Sequence, residues 1–292
     1  MNTTFDLEAK LVHEGAAELA TRIKPLIKPG LYLKKVYQTQ SVPQPPLLGW
    51  FKRSPKQVRI GMPVAVGASK LGGLPDFPPG QAWPGDADGP MQFLAQINCR
   101  EIAAQRALTG LPADGLLQFY QSDHGNETRT LFFASGIDLR PAEVPELITS
   151  RELLLPQFGV EFAILPTIPH SEAEEYKALK LSEEDDELLQ ETQAVWASEI
   201  QSEQHGLHQI GGYPDAVQGD VFTEVEFYTA GKKSSWDEAA ARASQWRLLL
   251  QFDTDGDLDV MWGDAGMIYF CVREDDLRAG RFERVRSTMQ CG

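Results

Sequence analysis

Residues 246–253 alternate between two faces: Trp246, Leu248, Leu250 and Phe252 on one, Arg247, Leu249, Gln251 and Asp253 on the other. Period two in aromatic and aliphatic residues predicts a strand. With the apolar run that ends at Val272, residues 246–272 predict two strands joined by an acidic turn. An earlier segment repeats the alternation, with Met91, Phe93, Ala95 and Ile97 opposite Gln92, Leu94, Gln96 and Asn98. Overlaying the two pairs Leu94 with Leu249, Gln96 with Gln251, and Asn98 with Asp253. Upstream, Lys70-Leu71-Gly72-Gly73-Leu74-Pro75-Asp76 mirrors Gln209-Ile210-Gly211-Gly212-Tyr213-Pro214-Asp215. Downstream, Gly115-Leu116-Leu117-Gln118-Phe119 mirrors Gly266-Met267-Ile268-Tyr269-Phe270. Blocks recurring in one order predict an internal duplication of a β-rich unit, and a pseudo-symmetric pair sharing one core rather than a solenoid.

The other elements follow from spacing and turn chemistry. Leu7, Leu11, Leu19, Ile23 and Ile27 fall at multiples of four, which predicts an amphipathic helix over 6–27, capped by Thr3, Thr4 or Asp6 and packed on the first repeat. The prolines between 28 and 55 predict a connector holding at most a short edge strand at Leu31-Tyr32-Leu33 and Val36-Tyr37. Residues 58–66, 116–120, 130–134, 158–165, 221–228 and 282–289 predict strands, with a bend at His124-Gly125-Asn126; 141–155 are ambiguous. Asn98 is placed to cap a short helix over 100–108, and Gly280 to stop one that begins at Glu274. Ser171 with Glu174 and Ser235 with Glu238 have capping-box spacing. A further helix follows Ser182, its acidic first turn matched to the helix dipole.

The expected fold is therefore α+β: two β-rich pseudo-symmetric repeats forming one body, with an N-terminal helix and a helical insertion in the second repeat. The boundaries are 1–57 for the helix and connector, 58–157 for the first repeat, and 158–292 for the second, with the insertion at 171–204.

The blocks Gly72-Gly73-Leu74-Pro75-Asp76-Phe77-Pro78, 91–98, Gly211-Gly212-Tyr213-Pro214-Asp215 and Trp262-Gly263-Asp264-Ala265-Gly266 resemble the YwqG-like family, a bacterial family labelled as a domain of unknown function. The resemblance runs over about 58–290. It implies a soluble bacterial protein and supplies no catalytic residues.

Composition narrows the options. With 27 Lys and Arg against 42 Asp and Glu, the formal charge of −15 disfavours nucleic acid and anionic membranes. It suits a basic protein partner. Three widely spaced cysteines, and no apolar signal at the N-terminus, lead to the expectation of reduced thiols in the cytoplasm.

Two constellations carry candidate chemistry. Asp253, Asp255, Asp257 and Asp259 alternate around Gly256, as oxygens presented to a hard cation such as Ca²⁺ would, though Asp255-Gly256 is equally a hairpin turn. Asp76, Trp83, Asp215, Trp262 and Asp264 are a candidate ligand set, carboxylates beside indoles suiting a cationic or amphipathic ligand. Turn aspartates bonding their own backbone and tryptophans in a core would explain the same residues. His205 and His208 lack further zinc ligands nearby, and no nucleophile elbow or phosphate loop is present. The leading expectation is a non-enzymatic binding module for a basic protein or cationic ligand. The alternative is a metal-dependent hydrolase using the Asp-rich loop.

Overall fold

The computed structural model describes residues 6–44, 54–105, 108–122, 127–146, 154–231 and 234–292. In chain order these residues form α1 (Leu7–His13), α2 (Ala17–Ile23), β1 (Lys28–Val42), β2 (Lys56–Gly61), β3 (Lys70–Leu71), β4 (Asp76–Phe77), β5 (Gln92–Asn98) and α3 (Cys99–Ala103). Next come β6 (Leu116–Gln121), β7 (Thr128–Phe133), β8 (Arg140–Pro141), β9 (Phe158–Thr167), α4 (Glu174–Lys177), α5 (Glu183–Gln204) and β10 (Gln209–Gly211). The last are α6 (Val221–Ala230), α7 (Trp236–Ala243), β11 (Trp246–Asp253), β12 (Met267–Arg273), α8 (Glu274–Arg278) and β13 (Arg286–Gln290).

One large antiparallel sheet dominates, in the order β13-β12-β11-β10-β1-β9-β3-β5-β6-β7, with β2 paired to the outer part of β1. The sheet curls almost closed. Its two far edges approach each other where Thr128 Oγ1 and Ser287 Oγ lie 2.8 Å apart and the Phe132 and Phe282 rings lie 4.9 Å apart. The inner face holds the main core, including Leu31, Leu33, Leu71, Phe119, Phe252 and Phe270. Phe119 and Phe270 meet edge to face at 5.2 Å, tying the two flanks together.

The outer face is covered in three places. Leu7, Leu11, Leu19 and Ile23 pack with Leu189, Trp196 and Ile200 of α5 on Tyr32 and Leu165 of the central strands. Val221, Phe222 and Val225 of α6 and Ala243 of α7 cover Trp246, Leu248 and Tyr269. Phe77, Met91 and Ala142 cover Phe93 and Tyr120.

Each long flank strand carries a β-bulge. The register slips between Phe93 and Ala95 and again between Leu248 and Leu250, leaving Leu94 and Leu249 as the extra residues. A bulge flips the side-chain alternation. Trp246 and Leu248 therefore face α6 and α7, while Leu250 and Phe252 point into the sheet's interior. The Gly72-Gly73 and Gly211-Gly212 pairs all take positive φ, and a Cβ on Gly72 would lie 2.2 Å from the Pro156 carbonyl oxygen.

Several sequence expectations are corrected. The connector over 28–55 contains the longest strand: β1 runs for 15 residues at the centre of the sheet. Pro29, its second residue, pairs with Pro166, so the two residues without N–H groups face each other near the end of the ladder. The N-terminal helix is two helices, broken at Gly15 (φ 84°), and it packs on α5 and the central strands. Val221–Ala230 is a helix, not a strand, because the Asp220 side chain caps the Thr223 N–H at 2.9 Å. Ala173, not Ser171, precedes α4, and no side chain caps it. The Ser235/Glu238 capping box and the Asn98 cap form as expected, and α5 follows Ser182, whose side chain caps it. The His124-Gly125-Asn126 bend and part of 141–155 lie outside the described residues.

Candidate functional site

The two Gly-Gly turns hold Asp76 and Asp215 by one bonding scheme. The Asp76 N–H donates to Gln96 Oε1 at 3.0 Å, and Gln96 Nε2 donates to the Ala68 carbonyl at 2.8 Å. The Asp215 N–H donates to Gln251 Oε1 at 2.9 Å, and Gln251 Nε2 donates to the Leu207 carbonyl at 3.0 Å. The carbonyl of Asp76 accepts from Gln118 Nε2 at 2.8 Å, and that of Asp215 from the Tyr269 hydroxyl at 2.7 Å. A β-strand glutamine thus satisfies backbone groups that the sharp turn leaves without ladder partners.

The carboxylates diverge. Asp76 is buried and saturated: it accepts from Lys70 Nζ at 3.1 Å, from the Gly67 N–H at 2.8 Å and from Gln96 Nε2 at 2.5 Å. Burial pulls the Lys70 ammonium below its usual range, and the Asp76 charge opposes that pull. At Asp215 the lysine's position is taken by Gln209, whose Nε2 donates to the carbonyls of Gly211 (2.8 Å) and Tyr213 (2.9 Å). The Asp215 carboxyl has no hydrogen-bond or ion-pair partner among the described residues. Burial first, and the charge of Asp253 second, raise it to about 6. It lines a cavity of about 50 Å³ together with Thr167, Gln193, Trp196, Leu207 and Tyr213.

The other members of the sequence-derived set sit apart from that cavity. Trp83 is half-buried, donates to the Met91 carbonyl at 2.8 Å, and meets Phe77 and Tyr120 edge to face. Trp262 donates to the Asp253 carbonyl at 3.2 Å and packs on Phe252. Asp264 is exposed, and its carbonyl accepts from the Gly292 N–H at 3.0 Å.

The Asp-rich loop is already built around a cation, the ammonium of Lys35. Its fully buried Nζ donates to Asp255 Oδ2 at 2.5 Å and to Asp257 Oδ2 at 2.8 Å. Asp255 Oδ2 also meets His208 Nε2 at 2.9 Å, while Oδ1 accepts from the N–H groups of Asp257 and Leu258. Asp257 is held further by Arg59 at 3.2 Å and by His205 Nδ1 at 3.0 Å. Burial alone would raise the Asp255 carboxyl, but its hydrogen bonds and the charges of His208 and Lys35 outweigh it and hold the group at about 2. Asp253 accepts from the Leu207 N–H at 2.7 Å and from Gln201 Nε2 at 3.3 Å; burial still raises its pKa. Asp259 is exposed at φ 57°. Among the described residues no group of three or more His, Cys, Asp or Glu is arranged to hold a metal ion.

A larger opening, a groove of about 730 Å³, lies where Glu172, Glu174 and Glu175 face Asp220 and the N-terminal part of α7. Asp237 and Trp236 line its far side, and Lys177 is the one cationic residue lining it among the described residues. Trp236 is 46% exposed and is backed by the Phe227 ring at 5.3 Å. Neither Lys35 nor Trp236 belonged to any sequence motif. Lys35 lies 220 positions from Asp255, so no local spacing pointed to the pair. The groove forms between elements that only the fold brings together.

Taken together, these features define a curled antiparallel sheet with helices on its outer face, two Gly-Gly-turn networks and an internal ion-pair loop. A profile described as "Domain of unknown function (DUF1963)" matches residues 69–291, and the chain belongs to that family. The match begins after α1, α2, β1 and β2. No curated protein matches the chain. Among the described residues no helix is long and apolar enough to cross a membrane.

Proposed function

We propose that this chain is a non-enzymatic binding module for a basic protein segment, and that the acidic groove beside Trp236 is its recognition surface. The observation that carries this reading is the groove's make-up among the described residues: five carboxylate residues and an exposed indole against one lysine. Its volume of about 730 Å³ is in the usual range for ligand sites. An indole face with carboxylates around it attracts guanidinium and ammonium groups. The formal charge of −15 adds long-range steering of a basic partner. The test is calorimetric titration with a hexa-arginine peptide at low ionic strength. Binding is expected to weaken steeply with salt and to fall about tenfold in the Glu174→Lys/Glu175→Lys variant and in Trp236→Ala. Absence of binding, or binding indifferent to these substitutions, contradicts the reading.

The same reading includes the duplication. Gln96 and Gln251, and Gln118 and Tyr269, are paired by the sequence overlay, and Ala68 and Leu207 lie two residues before its first block; all have matching roles in the two networks. The bulges fall on the paired residues Leu94 and Leu249. The strand order runs outward as β3-β5-β6-β7 on one side and β10-β11-β12-β13 on the other. On this account the second copy gained α4 to α7, and with them the groove. The Asp-rich loop then serves as a structural ion cluster, with Lys35 in the role sketched for Ca²⁺. The resemblance to the YwqG-like family and a reducing, cytoplasmic setting belong to the same proposal. The free Cys99 and Cys271, both buried, support the latter.

A further inference from the structure

The paired turns differ at one point of charge. In the first, the Lys70 ammonium sits 3.1 Å from the Asp76 carboxylate. In the second, Gln209 stands where the overlay places Lys70, and its amide is committed to the Gly211 and Tyr213 carbonyls. Among the described residues no cation pairs with the second aspartate. Asp215, six residues beyond Gln209 as Asp76 is six beyond Lys70, is left with its carboxyl on a cavity.

The cavity is not a mere packing defect. Its wall combines that carboxyl, two aromatic residues (Trp196 and Tyr213), Thr167 and Gln193. At about 50 Å³ it holds roughly three times the space one buried water requires. That suits an ammonium head with its first carbon, whose N–H groups can donate to the carboxylate as a quaternary ammonium cannot. The charge of Arg247 acts on Tyr213, and Lys28 Nζ lies 4.1 Å from the centre of the Tyr213 ring. Lys28 makes no ion pair with Asp215 among the described residues. Burial first, and the charge of Arg247 second, lower its affinity for a proton, while Glu175 and Glu274 oppose that.

We propose that this cavity binds a primary ammonium group, with the Asp215 carboxylate as counter-ion and the Trp196 and Tyr213 rings as walls, in the role that Lys70 plays against Asp76. The ligand is a small primary amine whose tail leaves through the open side. The site goes beyond the acidic groove: Asp215 and Trp196 do not line that groove, so each proposal can fail without the other. The raised affinity of Asp215 for its proton agrees with a carboxylate whose cation is supplied from outside, since an arriving ammonium would bring that affinity back down.

The experiment is calorimetric titration of the whole protein at pH 7.5 with n-butylammonium, with capped lysine amide and with tetramethylammonium. Millimolar or tighter binding of either primary amine, and none of tetramethylammonium, is expected. Preference for butylammonium identifies a free amine as the ligand; preference for capped lysine identifies a lysine side chain. The near-isosteric Asp215→Asn variant should weaken amine binding by at least about tenfold while its circular dichroism stays unchanged. Gln209→Lys should supply the cation internally and abolish amine binding. As a check independent of variants, the Asp215 carboxyl ¹³C resonance should titrate lower in saturating butylammonium than in its absence. Equal affinity of the wild type and Asp215→Asn, binding of tetramethylammonium as tight as butylammonium, or no binding with an unmoved resonance overturns the proposal.

Discussion

At the residue scale, charge placement decides most. Lys35 is fully buried between two aspartates, and a buried ion loses several kcal/mol of hydration that only near contacts return. Lys35→Met leaves Asp255 and Asp257 without that cation. We expect a loss of about 3–5 kcal/mol, read by urea denaturation. Because an ammonium already occupies the loop, millimolar Ca²⁺ should not raise the melting temperature of the wild type; a clear rise would give the loop a metal role. Asp215 works in the opposite direction. The groups near it are Asp253, the Tyr269 hydroxyl on its carbonyl and the Tyr213 ring in the same cavity. Its folded pKa of about 6 exceeds the unfolded value of 3.8, so the folded state binds the proton more tightly. Stability is therefore lost as pH rises from about 4 to about 6, and the loss is complete above that range. Asp215→Asn should match the wild type at pH 4 and exceed it at pH 7.5 by no more than about 3 kcal/mol. A gain of equal size at both pH values would contradict the assignment.

At the element scale, the strands with clean alternation were legible in the sequence. β5, β6, β11 and β12 lie within a residue or two of their predicted positions, because each buries an apolar face and ends at a capping or turn residue. The bulges were not legible. Trp246, Leu248, Leu250 and Phe252 read as one face, and only the pairing of Leu248 with Cys271 and Leu250 with Phe270 shows that Leu249 is skipped. β1 was hidden by Pro29-Gly30, read as a break, although both lie within the strand beside β9 and Gly30 also pairs with Gly211. α6 was hidden by its composition. The β-branched and aromatic run Val221-Phe222-Thr223 favours a strand locally, and the Asp220 cap with tertiary burial overrides that preference. The glutamine-bearing strands give an element-level prediction. Gln96→Ala and Gln251→Ala should each cost about 1–3 kcal/mol, since each leaves a turn N–H and a carbonyl unpaired. A marked cost for one and none for the other, by thermal or urea unfolding, would break the equivalence of the two turns.

For the molecule as a whole, the curled sheet is the scaffold, and the groove lies among α4, α6 and α7 on its outer side. The candidate site was only partly legible. Asp215 was singled out in the sequence, but the indoles named with it, Trp83 and Trp262, line neither its cavity nor the groove. The partners were not legible, because Trp196 and Trp236 sit on helices whose neighbours are set by folding. The most direct measurement is ¹H–¹⁵N chemical-shift mapping with the hexa-arginine peptide at low salt. The account predicts perturbations at 172–177, 220–223 and 236–244, reversed by added salt. Shifts confined to the first flank, or no shifts at all, would contradict it.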